Sequence, residues 1–214
     1  MEKYAVVLIG PSGAGKSTIA NRLLADKSYE LVRSATTRPK RLDGNIDEYI
    51  YLSRDEFLNR LSLGDLLEYT EYGENLYGTL NSELTRIFES GKTPLLVLDL
   101  CGAISLRKKT LDFTPLIFYI YEELSVIEER LLRREKESPT GKGLDAYYKR
   151  IKQNRLDYQA LPDVAHIFDG FIRNDKEELA YNTLVDLLSR LTNGEKPDRE
   201  ENKRIAEMLS RTVN

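Results

Sequence analysis

Gly10-Pro11-Ser12-Gly13-Ala14-Gly15-Lys16-Ser17-Thr18 follows directly on the apolar run Tyr4-Ala5-Val6-Val7-Leu8-Ile9. The apolar run predicts a buried strand, and Ile19, Ala20, Leu23 and Leu24 fit one face of a helix, so the nine residues form a strand-to-helix loop. Gly10, Gly13 and Gly15 let the backbone turn tightly and aim several N–H groups at one point, where the oxygens of an anion can sit. A helix starting near Lys16 adds its positive dipole end there. Lys16 then brings a mobile ammonium to the outer phosphates, and the Ser17 hydroxyl can ligand a magnesium ion bridging them. The loop is built to hold a nucleoside triphosphate.

Beyond it the chain alternates. A short extended segment near Tyr29 to Arg33 leads into Ser34 to Arg41, which Pro39 and the Asp43-Gly44 turn mark as a loop. Glu48 to Leu52 is β-prone, and Ser53 with Glu56 gives the capping-box pattern for a helix whose Phe57, Leu58 and Leu61 face inward, ended by Gly64-Asp65. Leu66 to Thr79, with its tyrosines, acids and glycines, reads as an irregular lobe of short strands and turns. Asn81 or Ser82 caps a helix that ends at Gly91. Leu95 to Leu100 is an apolar strand with Asp99 near its end, the pattern of a parallel strand buried on both faces. A helix from about Ala103 to Lys109, a strand from Pro115 to Tyr121 and a helix carrying Leu124, Ile127, Leu131 and Leu132 come next.

The arginines and lysines from Arg130 to Lys152, broken by Pro139, Gly141 and Gly143, read as a mobile cationic flap. A helix ending before Pro162, a strand between Ala165 and Arg173, and a helix with Leu184, Leu187, Leu188 and Leu191 complete the repeat of strand and helix. Such alternation predicts a parallel sheet covered by helices on both faces, with ligand at the carboxyl ends of the strands. Residues 193–214 read as a charged extension with a short helix carrying Ile205, Met208 and Leu209.

The 214 residues suffice for one sizeable α/β domain with inserted lobes, and 41% hydrophobic with 31% charged residues is ordinary for a folded chain. The net charge of -3 argues against general affinity for nucleic acid or an anionic membrane, so any anion site is local. Cys101 is the one cysteine, which excludes an internal disulfide; it reads as a small buried filler. With no apolar run near the roughly twenty residues that span a bilayer, the expectation is a cytoplasmic protein, monomer or homodimer, that binds neither nucleic acid nor membrane.

Holding a triphosphate does not by itself specify a reaction. Arg38 and Arg41, near Tyr49 and Tyr77, suit a second phosphate through charge-assisted and phenolic hydrogen bonds. Glu68 lies in the same lobe. A carboxylate only accepts, so it pairs with the adjacent N1–H and N2–H2 donors of guanine and rejects adenine, with Ser34 and Thr79 completing the base contacts. Asp99 either assists magnesium or caps the following turn.

On these residues the chain resembles guanylate kinase. The resemblance runs from about Tyr4 to Leu191 and rests on the loop Gly10 to Thr18, Ser34 to Arg41, Glu48-Tyr49, Leu67-Glu68-Tyr69, Leu76-Tyr77-Gly78-Thr79, Gly91-Lys92, Leu98-Asp99, the arginine-rich segment and Ile172-Arg173-Asn174-Asp175. It implies an α/β, P-loop NTPase three-layer fold with a parallel sheet. Residues 1–192 would be the domain, with the core in 1–33, 92–132 and 151–192, a GMP-binding lobe in 34–91 and an arginine-rich lid in 133–150. It implies transfer of phosphate from ATP to GMP, and to dGMP, with Mg2+ held by Ser17 and, through water, by Asp99. Arg38, Arg41, Tyr49 and Tyr77 would hold the GMP phosphate, and Ser34, Glu68 and Thr79 would read guanine. Lys16, Arg130, Arg134 and Arg150 would contact the transferring phosphates, and Asn174 would lie at the ATP base.

The sequence also departs from the family pattern. Val97 stands where a second acid that helps recognise guanine is usual, Cys101 replaces a glutamine, and the segment between Arg134 and Arg150 is longer. A guanylate-kinase-like interaction module with little activity, or a kinase for another phosphorylated acceptor, are the alternative readings.

Overall fold

The computed structural model describes residues 3–40, 49–72, 74–137 and 143–213. At its centre β1 (Tyr4–Ile9) belongs to a five-stranded sheet with β2 (Tyr29–Leu31), β7 (Thr93–Val97), β8 (Thr114–Tyr121) and β9 (Gly170–Arg173), in the order β2-β7-β1-β8-β9. Every pairing in this sheet is parallel. Ala5 through Ile9 are all fully buried, so side chains on both faces of β1 are covered, as the unbroken apolar run requires. The chain leaves β1 toward one edge and later returns to its other side through β8. The loop after β1 therefore sits where the strand order reverses, the place where open parallel sheets bind ligands.

A second, mixed sheet forms the inserted lobe, in the order β4 (Tyr49–Tyr51), β3 (Ser34–Thr36), β6 (Asn75–Leu80), β5 (Leu66–Tyr72). Residues 34–36, expected as loop, are thus a strand, made so by pairing antiparallel to β6 and parallel to β4. The stretch expected to be irregular is mostly the β5–β6 hairpin, with one register shift between Leu66 and Glu68. A separate small core of Ala35, Phe57, Leu66, Leu76 and Leu80 holds the lobe together. Helix α2 (Arg54–Ser62) covers it behind the expected capping box of Ser53 and Glu56, although Leu58 points to solvent and Phe57 alone is buried in that helix.

Other elements differ in detail. Helix α3 (Asn81–Glu89) starts without a side-chain cap, because the N-cap position falls on Leu80, and the Asn81 amide donates to Gly64 O (3.0 Å). β7 stops at Val97, and Asp99 becomes the N-cap of α4 (Leu100–Arg107), accepting from Gly102 N at 2.7 Å. Cys101, in the first turn of that helix, is exposed rather than a core filler. Helix α5 (Leu124–Glu137) and helix α6 (Gly143–Val164) occupy most of the stretch read as a flap. Residues 138–142 between them, like Arg41, Asp43, Gly44 and Glu48, lie outside the described residues. Pro162 does not end α6. It falls in the last turn, where a proline removes one hydrogen bond while Tyr158 and Leu161 keep the helix packed. Residues 165–167 are a 3-10 turn, so the last strand begins only at Gly170.

Helix α1 (Lys16–Leu24) packs against α7 (Glu177–Thr192). The charged extension contains α8 (Arg199–Arg211), and it is docked: Ala206 and Leu209 enter the main core. Buried Asn202 donates to Phe168 O at 2.8 Å, while Met208 faces solvent and Ile205 is half-buried. Among the described residues no helix is long and apolar enough to cross a membrane.

Candidate active site

The loop between β1 and α1 is gripped from several sides. Gly15 has φ 92°, and a Cβ there would stand 2.1 Å from the amide nitrogen of Asn174, so only glycine fits. That amide donates to Ala14 O at 2.7 Å. Lys16 Nζ folds back over the loop, donating to Gly10 O (2.7 Å) and Pro11 O (3.0 Å). Burial pushes the Lys16 ammonium down to a pKa of about 8, with Asp157 and Asp99 opposing the shift through their negative charge. A polyanion bound here would raise it again.

Above the loop a cleft of about 500 Å³ is lined by Ser12, Gly13, Gly15 to Thr18, Arg130, Leu131, Arg133, Arg134, Asn174, Asp175 and Glu177. Of the arginines singled out in the sequence, Arg130 and Arg134 line this cleft and Arg150 does not. Arg130 donates to Asn174 O (3.0 Å) and faces buried Glu122 at 3.9 Å. Arg150 pairs with Glu135 of α5 at 3.3 Å. Arg133 was not singled out as a site residue, and its place beside Arg134 near the end of α5 puts it on the same wall.

Beside it a second pocket of about 300 Å³ is lined by Ser34, Arg38, Tyr49, Glu68, Thr70, Tyr77, Gly78, Val97, Leu98 and Asp99. The pairing of β3 with β4 and β6 sets Ser34 opposite both Tyr49 and Thr79, and the β5–β6 hairpin sets Glu68 opposite Thr79. The Arg38 guanidinium lies 5.0 Å from the Tyr49 ring centroid, and Tyr49 stands edge-on to Tyr77 at 6.2 Å. Arg38 Nε is buried without a hydrogen-bond partner among the described residues, an arrangement that an anion's oxygen would relieve. Glu68, 6% exposed, accepts from Thr79 Oγ1 at 2.7 Å. Burial raises its carboxyl to about 7, Asp99 adds to the rise, and Thr79 and Lys109 oppose it.

Gly102 was also missed by sequence. A Cβ there would approach Glu68 Oε2 to 2.9 Å, so this glycine leaves the room that the carboxylate occupies. Gly102→Ala is expected to raise KM for the acceptor roughly threefold to tenfold, the worth of about 1 kcal/mol of distorted hydrogen bonding, with KM for ATP unchanged. Steady-state kinetics with each substrate varied in turn checks this; an unchanged acceptor KM refutes it.

A third cleft, of about 500 Å³ and lined by Lys3, Phe88, Thr110 and Phe113 among others, lies at the amino ends of β1 and β8, at the opposite end of these strands from the loop. The side chains considered as metal ligands offer oxygens, the Ser17 hydroxyl and the Asp99 carboxylate with one oxygen engaged in its cap, and the Asp157 carboxylate also acts on Lys16, a set that suits a hard cation. Among the described residues no group of three or more His, Cys, Asp or Glu could hold a metal, so such an ion would take most of its ligands from phosphates and water.

The family model for guanylate kinase matches residues 2–191. The chain belongs to the guanylate kinase family. It is 35% identical to a guanylate kinase of Synechocystis sp. over 86% of this chain and 92% of that protein, and 34% identical to one of Rubrobacter xylanophilus over 90% and 96%. A guanylate kinase of Sus scrofa is 31% identical over 86% and 91%. The crystal structure of guanylate kinase from Anaplasma phagocytophilum superposes with a TM-score of 0.64 over 88% of this chain and 85% of that one; at 23% identity it supports the three-layer α/β fold. Helix α8 lies beyond the residues that the family model matches.

Proposed function

We infer that this chain transfers the γ-phosphoryl group of ATP to GMP, and to dGMP, giving ADP and the nucleoside diphosphate. The observation that carries this reading is the junction of the two pockets. Asp99 lines the acceptor pocket and also acts electrostatically on Lys16 of the loop, so an acceptor phosphate and a donor triphosphate would meet between them. Glu68 and Thr79, with Ser34, support a guanine reader, and Arg38, Tyr49 and Tyr77 support a phosphate site; Arg41 belongs with them by the family pattern.

The chemistry needs no general base, because the GMP phosphate is already an anionic nucleophile. Its oxygen attacks the γ-phosphorus in line, the bond to the β-γ bridging oxygen breaks, and ADP leaves with that electron pair. The residues must overcome repulsion between two polyanions and hold them in line. Lys16 takes the outer phosphates, the loop N–H groups cradle them, and Arg130, Arg134 and Arg150 stabilise charge on the transferring group. Asn174 serves the ATP side of the cleft by holding the loop at Ala14. Ser17 and, through water, Asp99 would hold magnesium, which would supply positive charge to offset that of the phosphates.

Coupled measurement of ADP release with ATP, magnesium and GMP, dGMP, AMP, UMP or CMP in turn tests the reading. Turnover with GMP and with dGMP is expected, and a much weaker response to AMP, which has no proton on N1 to give Glu68. If another monophosphate is preferred, the role of Glu68 falls and Val97 on the pocket wall becomes the residue to explain. If none stimulates turnover, the kinase reading falls.

A further inference from the structure

Asn154 of α6 is 1% exposed and makes two hydrogen bonds, both to the backbone of Ser12 in the phosphate loop. Its Oδ1 accepts from Ser12 N at 2.8 Å and its Nδ2 donates to Ser12 O at 2.9 Å. The planar amide thus satisfies both polar groups of one loop residue from 142 positions away in sequence. A hydrophobic side chain would leave two buried backbone groups unpaired there, and a longer polar one would overfill the site.

The neighbours of Asn154 give this contact a meaning beyond packing. Arg150, Asn154 and Asp157 recur at i, i+4 and i+7 and so share one face of α6. Asp157 acts on the Lys16 ammonium, and its own carboxyl is raised by burial and by Asp99. Arg150 stands one turn before Asn154, about 6 Å along the helix axis. One helix face therefore addresses the loop backbone and the loop lysine and also carries Arg150, which here pairs with Glu135 of α5.

We propose that Asn154 is a positioning residue that pins α6 to the Ser12 peptide and so sets the placement of Arg150 relative to the phosphate loop. The proposal rests on the assignment of Arg150 to the transferring phosphoryl group. It adds a residue that lines neither of the two pockets. Tyr158 and Leu161 on the same helix, packed into the main core, hold the rest of α6 whether or not the pin is present, so its loss should misplace Arg150 without unfolding the protein.

The test is a double-mutant cycle on the whole chain, with wild type, Asn154→Ala, Arg150→Ala and the double variant. Melting temperature, kcat, and KM for ATP and for GMP are read on each. Asn154→Ala is expected to lower kcat roughly tenfold to a hundredfold, the cost of misplacing a catalytic group by about 1 Å, with KM for GMP nearly constant. In the Arg150→Ala background the same change should lower kcat less than twofold, because the group it positions is gone. Equal losses in both backgrounds overturn the proposal and leave the role of Arg150 intact. A wild-type rate for Arg150→Ala overturns the role of Arg150 and the proposal with it. Should Asn154→Ala not fold, the cycle is run with Asn154→Leu, which keeps the branched shape, adds no charge and removes both hydrogen bonds to Ser12, and the same two criteria apply.

Discussion

Lys16→Ala is expected to lower kcat about a thousandfold or more while the protein still folds. In the structure the ammonium is turned onto the carbonyls of Gly10 and Pro11, next to the place where the phosphates would lie, and among the described residues no other lysine lines the cleft. On the proposed mechanism its charge offsets the oxygens of the transferring group, and that charge would matter more as the group becomes more negative on its way to transfer. The arginines of α5 approach from the other wall and cannot fill its position under the loop.

Folding should survive because the buried charge of Lys16 costs the fold stability, against its hydrogen bonds to Gly10 O and Pro11 O. Its pKa is lower in the folded state, about 8, than in the unfolded chain. A lysine of that kind binds its proton more weakly when folded, so its charged form weakens the fold at pH 7, and this cost disappears as the pH rises above both values. The melting temperature of Lys16→Ala at pH 7 should therefore be equal to or above that of wild type. A thermal scan and a single-turnover measurement with saturating ATP and GMP check the two halves. Turnover within tenfold of wild type would refute the role assigned to Lys16.

The central strand and its loop were legible because the signal is local: an apolar run, glycines at fixed positions and a lysine at the start of a helix. The inserted lobe was legible only as residues with a chemistry. Ser34 to Thr36 is a strand because Thr79, Gly78 and Tyr77, some forty positions on, pair with it, and three residues just before Arg38-Pro39 carry no periodicity of their own. Helix α8 was underestimated for a different reason. Its charges dominate the composition, but Asn202, Ala206 and Leu209 stand at i, i+4 and i+7 and form the buried stripe. Asn154 and Asp157 show the same limit in the site. Their spacing from Arg150 is readable once α6 is known to run unbroken from Gly143, whereas their partners at Ser12 and Lys16 are set by the fold. The cap made by Asp99 was one of two readings of that residue, and it leaves the second carboxylate oxygen for the other.

Glu68→Gln is expected to lower kcat/KM for GMP roughly a hundredfold to a thousandfold and to leave KM for ATP unchanged. Two hydrogen bonds from guanine to a carboxylate are worth about 1.5–3 kcal/mol each, and the glutamine would turn an NH2 group toward one of the donors. The wild-type enzyme should also show a pH dependence that the variant lacks. With its carboxyl at about 7, Glu68 is largely protonated at pH 6, whereas guanine's donors require the ionised form, so binding GMP at pH 6 should release a proton and be up to about tenfold weaker than at pH 8. Calorimetry in buffers of different ionisation enthalpy measures that proton. The GMP phosphate itself titrates near 6 in both proteins, so the difference between them reports Glu68. A proton released equally by wild type and Glu68→Gln places the titrating group elsewhere. Stability carries a third readout. An acid whose pKa is raised on folding contributes fully below its ordinary value and loses that contribution as the pH climbs through about 7, so at pH 8 the ionised, buried Glu68 weakens the fold and Glu68→Gln should melt higher than wild type. A carboxylate that costs the folded protein stability at pH 8, held in place by Thr79 and given room by Gly102, is the mark of a group kept for its ligand rather than for the fold.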